Sequence, residues 1–510
     1  MVCAEKIVIR SKLIWKRKAF GFKTSAKVRK VNYEGYYVPF WENFKNLISN
    51  PEIYDSFVNQ TSNSDNIYRT VLDGCFNKNH EFFKNHKNAL AIIFYYDDLV
   101  VGNPLGVAAK KHKLSMFYWT LANIKPEVRS SLNIIQLYAI VRTEHLKQPN
   151  GVAKILQPFI TDIVKLQTVG INIHVNGELK NLKGPVIFCA GDTPASAMLG
   201  GFKESVAAYR LCRTCMITKD EWRQNFSTQN FILRNKTDHQ EHVDVVSDSS
   251  VTNAAQEFWK TQYGINKQSS LADIPFFDAT KCFPQDAMHV LIEGVGEIVC
   301  RAFLRYCIVV EKIFTLDQLN ENIEKFYFKY FQNDKPALIL SSHLTEEGHL
   351  RQSAAQFLVL FYTLPFLIGE WIVENNENEL EEQISCYMQM LDIIKVSLAY
   401  EIHEDTVDYL DQMIRVFIIN FNRLYLNLIV PKFHFMMHIP YYIKLFGPAR
   451  QLWCFNLKLL TLILKHLLLL FEVLKTWQLR CHIVINQDYV QDFVLHQECQ
   501  QKNFCIKMTM

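Results

Sequence analysis

The stretch Ala91-Ile-Ile-Phe-Tyr-Tyr-Asp-Asp-Leu-Val100 decides the reading of this chain. Its apolar and aromatic run predicts a buried strand that ends on two carboxylates. Adjacent strand residues point to opposite faces, so only one of Asp97 and Asp98 is expected to serve a given site. Working outward, Ser115-Met-Phe-Tyr-Trp-Thr-Leu-Ala122 predicts a second strand and Leu132-Asn-Ile-Ile-Gln-Leu-Tyr-Ala-Ile-Val141 a third. Ile155, Phe159, Ile163 and Leu166 recur at helical spacing and predict a helix over 152–168, starting after Pro158 or kinked there. A fourth strand, Pro185-Val-Ile-Phe-Cys-Ala190, runs into Gly191-Asp192.

Three adjacent strands, a crossover helix and a fourth strand is the order of a ribonuclease-H-like core, in which the first and fourth strands each present an acid to one spot. Many α/β domains begin this way, so the order alone assigns no activity. The expected fold class is α/β: a ribonuclease-H-like catalytic core with a large, mostly helical insertion and a basic N-terminal arm. The core is expected to begin in 89–216, after an arm and small helical region in 1–88. Residues 217–430 read as an insertion, loop-rich up to 275 and then helical, with a long amphipathic segment from Glu379 to Ile402. Segments 431–456 and 457–510 complete the division.

The chain has 510 residues and is 49% hydrophobic, enough for a large core and several domains. A net charge of +4 is too small to identify a nucleic-acid partner, but its distribution is uneven. Ten Lys and Arg fall between Lys6 and Lys30, against the single acid Glu5. That segment reads equally as a solvated N-terminus or as an arm that contacts DNA. The start carries charges throughout and no apolar signal segment, so an intracellular protein with its thirteen cysteines reduced is expected. Leu459 to Phe471 is almost wholly apolar, yet thirteen residues broken by Lys465 and His466 are too few to span a bilayer, and no membrane partner is expected.

Metal-assisted phosphoryl transfer needs carboxylates on rigid elements to hold Mg²⁺ or Mn²⁺. Asp97 and Asp192, with Asp98 as a further acid, sit at strand ends, where acids also serve as plain caps. Cys212-Arg-Thr-Cys215 has metal-ligand spacing but needs two further ligands, for which His434 and His438, at i and i+4, are candidates. Asp286, His289 and Glu293 fall at i, i+3 and i+7, one helical face. Asp286 can equally be a helix N-cap.

Several blocks resemble the CACTA (En/Spm-like) DDE transposases. Asp97-Asp98-Leu-Val-Val-Gly-Asn-Pro-Leu-Gly106, followed by Lys110-Lys-His-Lys113, resembles the block around the family's first catalytic Asp. Gly151 to Gly170 resembles its helix before the fourth strand, and Gly191-Asp-Thr-Pro-Ala-Ser-Ala-Met-Leu-Gly-Gly-Phe202 the block of its second catalytic Asp. Pro284-Gln-Asp-Ala-Met-His-Val-Leu-Ile-Glu-Gly-Val295 is the most specific match, close to the family's Asp-x-Met-His-x-x-x-Glu-Gly-Val signature. The resemblance runs from residue 91 to about 456 and implies a nuclear protein that cuts and joins DNA at transposon ends, with a homo-oligomer as a further possibility. It implies metal-ligating Asp97 and Asp192, with Glu293 as a possible further acid and Asp286 and His289 in support. A structural Zn²⁺ on Cys212, Cys215, His434 and His438 would follow, as in the V(D)J recombinase, and phosphate contacts from Lys110, Lys111 and Lys113.

The pattern fails at the third acid. The family carries a Glu in a stretch like Trp-Cys-x-x-Phe-Glu-Ala-Lys-His. Here Trp453-Cys454-Phe455 is followed by Asn456-Leu-Lys-Leu459, with no acid. The bases TTT-GAA-GCT encode Phe-Glu-Ala; read one base later, TTG-AAG-CTN encodes Leu-Lys-Leu, the residues at 457–459. A single-base frameshift near codon 456 is therefore expected, with 457–510 translated out of frame and strand transfer lost. A non-catalytic DNA-binding or scaffold protein that keeps the fold is the competing expectation.

Overall fold

The computed structural model describes residues 3–20, 23–57, 65–100, 113–129, 131, 134–175, 178–374 and 377–455. The expectations for Lys110, Lys111, Leu459–Phe471 and the segment from 456 onward lie outside the described residues.

The N-terminus corrects the expected arm, while the small helical region expected after it is present as short helices over Phe40–Ile48, Pro51–Asp55, Cys75–Asn79 and Glu81–Asn85. It forms a long antiparallel hairpin of β1 (Glu5–Phe20) and β2 (Lys23–Tyr37), joined to the central sheet through β2. Ile7, Val8, Ile9, Ile14, Val28, Val31 and Tyr33 supply strand-forming residues between the cations, a pattern that a count of charge alone overlooks. A register shift between Val8 and Arg10 turns Ile9 inward, where it is fully buried. After the hairpin, α1 (Phe40–Ile48) buries Phe40 and Phe44 against Trp119, with ring centroids 4.8 and 5.8 Å away.

The central strands are β3 (Ile92–Val100), β4 (Lys113–Leu121) and β5 (Gln136–Arg142). Then come α2 (Gly151–Thr168), a small hairpin of β6 (Ile171–Val175) and β7 (Glu178–Leu182), β8 (Val186–Ala190) and α3 (Thr193–Gly200). The result is a mixed six-stranded sheet in the order β1-β2-β5-β4-β3-β8, in which β8 is the strand that runs parallel to its neighbour, β3. The third strand begins at Gln136, after a turn at Ile134 and Ile135, with Leu132 outside the described residues, and the two acids lie within β3 and not at its end. The β6–β7 hairpin was not expected; Gly170 opens it with φ 79°, a conformation suited to glycine.

Pro158 neither starts nor ends α2. A proline inside a helix removes one N–H and pushes the preceding turn apart. Tyr138 Oη fills the gap, donating to Ile155 O at 2.7 Å and accepting from Phe159 N at 3.3 Å. A side chain inserted into the helix ladder is a recognised cause of bending. Phe159 then packs on Phe94 at 4.4 Å between ring centroids, tying α2 to the strand that carries Asp97.

The segment 217–275 is more ordered than expected. It holds α4 (Lys236–Ser247) and α5 (Asn253–Tyr263), started by Asn235 and Thr252 side chains that accept from backbone N–H groups. A π-helix spans Met288–Gly296, followed by α6 (Ala354–Glu374), α7 (Glu377–Ser397) and α8 (Glu404–Leu424). The expected helix over 379–402 thus ends at Ser397. Among the described residues α6 is the one helix long and apolar enough to cross a membrane; its Phe357, Leu360, Phe361 and Leu364 are buried against neighbouring elements. Near the end of the described residues lie α9 (Pro431–Met436) and α10 (Ile439–Phe446), which return to the loop after α3.

Candidate metal centre and acid cluster

Four donors from the two ends of this path meet in one buried pocket. Cys212 and Cys215 lie on the loop after α3, His434 on α9, and His438 just before α10. Their ligand atoms all lie within 4.8 Å of one another. Cys212 Sγ is 3.4 Å from His438 Nε2, Cys215 Sγ 3.3 Å from His434 Nε2, and the two Nε2 atoms are 3.1 Å apart. A tetrahedral zinc, with bonds of about 2.0–2.3 Å, holds its donors about 3.3–3.8 Å apart. The four residues therefore fit a metal such as zinc.

The electrostatics suit a cation as well. Burial alone would push the Cys212 thiol up, but a hydrogen bond from Cys215 and the two imidazoles hold it well below the ordinary thiol range. Cys215, buried and hydrogen-bonded to Cys212, is held well above it. Burial also lowers His434, favouring the neutral imidazole that a metal requires. His434 Nδ1 finds no hydrogen-bond partner among the described residues, so packing on Phe231, 5.0 Å away between ring centroids, orients the ring instead.

The loop between the cysteines is bound to the core by a residue that the spacing argument passed over. Buried Arg213 donates to Phe283 O at 2.9 Å and to Pro284 O at 2.7 Å. Thr214 Oγ1 meets Tyr442 Oη at 3.0 Å and accepts from Gln285 Nε2 at 3.1 Å. These bonds lock the cysteine loop to the segment that leads into Asp286.

The acids gather beside that lock. Tyr95 pairs with Ala190, the last residue of parallel β8, and Asp192 follows two residues past that strand's end, beside the end of β3 that carries Asp97: a Cβ on the intervening Gly191 would lie 3.1 Å from Tyr96 O. Asp192 also caps α3, accepting from Ala195 N at 2.7 Å. Cys454 is held well above the ordinary thiol range by burial and by the carboxylates of Asp286, Asp97 and Asp192. One buried thiol thus feels all three acids. Asp98 faces the other way: it pairs with Lys113 Nζ at 2.7 Å and accepts from Ser115 Oγ at 2.6 Å and Tyr96 Oη at 2.8 Å. Lys113, expected on DNA, is thus engaged with Asp98.

Asp286, His289 and Glu293 come together as the spacing implied, with Asp286 just before the helix and His289 and Glu293 on its π-helical stretch. Asp286 is buried and hydrogen-bonds His289 Nδ1, while His289 Nε2 lies 3.7 Å from Glu293 Oε2. The other Asp286 oxygen accepts from Met288 N at 3.0 Å and Cys454 N at 3.3 Å. Asp286 therefore fixes the backbone at Cys454. Burial, which alone would raise its carboxyl, is outweighed by the charge and hydrogen bond of His289, aided by the two N–H groups, so its pKa lies below the usual carboxylate range. A depressed carboxyl stabilises the fold above its unfolded value, and that contribution fades as pH falls through the folded value. Asp286→Ala is expected to cost about 2–3 kcal/mol at pH 7. In urea unfolding the gap from the parent should close in strong acid; equal stability at pH 7 would show that the carboxylate contributes no net stabilisation.

Sequence reasoning missed Arg213 and Cys454. A basic residue between two candidate ligands was a usable signal for Arg213, whereas nothing in the sequence marks Cys454 as the neighbour of three acids. Comparison with protein-family models and with curated proteins finds no match for this chain.

Proposed function

We propose that the chain is a transposase-derived protein of the CACTA-type DDE lineage, acting on DNA in the nucleus, whose ancestral strand cleavage and transfer is lost. The observation that carries this reading is that Asp97 on β3, Asp192 just past the end of parallel β8, and Asp286 all bear on one buried thiol, Cys454. The order of the four inner strands, with the fourth parallel to the first, is the one expected of a ribonuclease-H-like core. The Cys₂His₂ group joining the core to the end of the helical region agrees with the same lineage.

Asp97 and Asp192 offer hard oxygen donors of the kind Mg²⁺ and Mn²⁺ prefer, and would hold such an ion. The ion would supply Lewis-acid stabilisation of charge on phosphate oxygens. Asp286 positions the backbone at Cys454, and Arg213 couples that region to the cysteine loop. At the position of the third acid the sequence has Lys458, whose charge opposes a bound cation.

That lysine favours a second reading, a non-catalytic DNA-binding or scaffold protein that retains the fold. The nucleotide sequence from codon 430 onward separates the two. On the first reading a neighbouring frame restores Phe-Glu-Ala-Lys-His near codon 456. If no frame restores it, the frameshift account is wrong and the scaffold reading stands.

A further inference from the structure

The base of the hairpin leaves one edge of the sheet open. β1 is the outermost strand, so one side of its backbone pairs with β2 and the other meets no strand. Register shows which residues face outward. In an antiparallel pair, opposed residues alternate between bonding each other and bonding away from each other. Glu34 bonds away from β1, its N–H donating to His145 Nδ1 at 3.0 Å. Val38 N, further along the same side, donates to Tyr138 O on β5 at 2.7 Å. Lys6 and Val8, opposite Tyr36 and Glu34, therefore turn their N–H and C=O groups to the open edge. Among the described residues no hydrogen bond reaches those groups from outside the hairpin. Ile9, at the bulge, closes one end of this edge, its carbonyl accepting from Lys154 Nζ at 2.7 Å.

A groove of about 670 Å³ lies beside the edge, between β1 and α2. That is the size of an ordinary ligand site. Tyr37, Trp41 and Pro158 give it apolar walls, and Glu42 and Asp162 line it with carboxylates. Glu5 adds a third, accepting from Tyr37 Oη at 2.5 Å. Burial, then the hydrogen bond and charge of Glu5, then the charges of Asp162 and Glu42 push the Tyr37 phenol up to about 12. Three acids thus bear on one ring.

The cations nearby are already engaged. Lys154 Nζ is held by Ile9 O, and Lys165 Nζ sits over the Trp41 ring, 4.4 Å from its centroid. Burial raises the Asp162 carboxyl in spite of the Trp41 N–H and Lys165, which both act to lower it. Pro158 adds an acceptor: it has no N–H, so the carbonyl of Lys154, one turn earlier, loses its helical donor. The groove therefore has a surplus of acceptors and of negative charge.

We infer that the β1 edge and this groove together bind an extended, basic peptide segment of a partner protein. The peptide adds a strand outside β1, exchanging hydrogen bonds with Lys6 and Val8. Its alternate side chains face the groove, where a Lys or Arg meets Trp41, Glu42 and Asp162. Main-chain bonds supply affinity in this mode and the groove supplies selection. A free organic cation would satisfy the carboxylates but leave the strand edge unpaired. An acidic strand could pair with the edge but would be repelled by the groove. The inference uses neither the acid cluster around Cys454 nor the metal centre, so it stands apart from the proposed function.

The test is fluorescence anisotropy of a labelled peptide of about nine residues, alternating Lys and Val, with the full chain. The same peptide with alternate backbone amides N-methylated is expected to bind about tenfold or more weaker, because it can no longer pair with the edge. A peptide with Glu in place of every Lys should not bind. In the protein, Glu42→Gln with Asp162→Asn is expected to weaken the Lys peptide about tenfold. Val8→Pro removes an outward N–H, a change that edge strands tolerate, and should also weaken it about tenfold. Should that variant misfold, the N-methylated peptide still tests the pairing on the unaltered chain. Equal binding of the N-methylated peptide, or indifference to Glu42→Gln with Asp162→Asn, would overturn the inference. Full competition by n-butylamine at the peptide's own concentration would overturn it by giving the groove to free cations. A dimer of the peptide-free chain that Val8→Pro dissolves would overturn it by giving the edge to a second copy.

Discussion

The purified chain is expected to carry one Zn²⁺, and Cys212→Ser or His438→Ala is expected to release it with a loss of about 4–5 kcal/mol or more, the range reserved for loss of a structural metal. The magnitude follows from what the metal would join. Cys212 and His438 are 226 residues apart in sequence, and between them lies the whole helical region. All four ligands are buried, so without an ion two thiols and two imidazoles face one another in a pocket closed to water. Deprotonated thiol and neutral imidazole are already favoured at Cys212 and His434, while Cys215, held protonated, would release its proton as the metal binds. Metal content of the native protein, together with unfolding before and after chelation, measures the effect without relying on a variant that fails to fold. Absence of metal, with stability indifferent to chelator, would sink the assignment and leave the cluster as packed core.

Repair of the reading frame carries the second large effect. A chain continued from residue 456 in the frame that encodes Phe-Glu-Ala-Lys-His is expected to nick supercoiled DNA in Mn²⁺ about 10³-fold faster than the chain as it stands, the scale of losing one charge-stabilising group. Asp97→Asn in the repaired chain should return the rate to background, because Asp97 would be a direct ligand of the ion. Asp98→Asn should not, since Asp98 is engaged by Lys113, Ser115 and Tyr96 away from Asp192. Nicking that persists after Asp97→Asn, or a repaired chain as silent as the present one, would count against a transposase origin for this site.

The inner sheet was readable because its strands announce themselves locally. Runs such as 91–100 and 185–190 are apolar and bounded by charge or glycine, and the helix over 151–168 keeps its spacing through Pro158. The proline looked like a boundary only because its remedy, Tyr138, lies on a strand 20 residues earlier. The hairpin at the N-terminus was misread because ten cations dominate its composition, while its strand pattern is split by the bulge at Ile9. The π-helix at Met288–Gly296 has a sequence compatible with an ordinary helix, so its geometry was not foreseeable from local preference.

For the candidate site, the sequence by itself determined the chemistry available: two thiols at metal spacing, a histidine pair at i and i+4, acids on two strands, and an Asp-His-Glu series on one helical face. Those are matters of residue type and short-range spacing, which a linear chain displays directly. Tertiary structure alone decided which of them meet. It brought Asp97 and Asp192 to one buried thiol, Cys454, and engaged Asp98 with Lys113, because alternation on a strand offers one face to each of two adjacent residues. It placed Cys454 among three carboxylates and used Asp286 to hold its backbone. It also paired the two N-terminal strands into a hairpin, since the register of two paired strands is a property of their pairing and not of either strand.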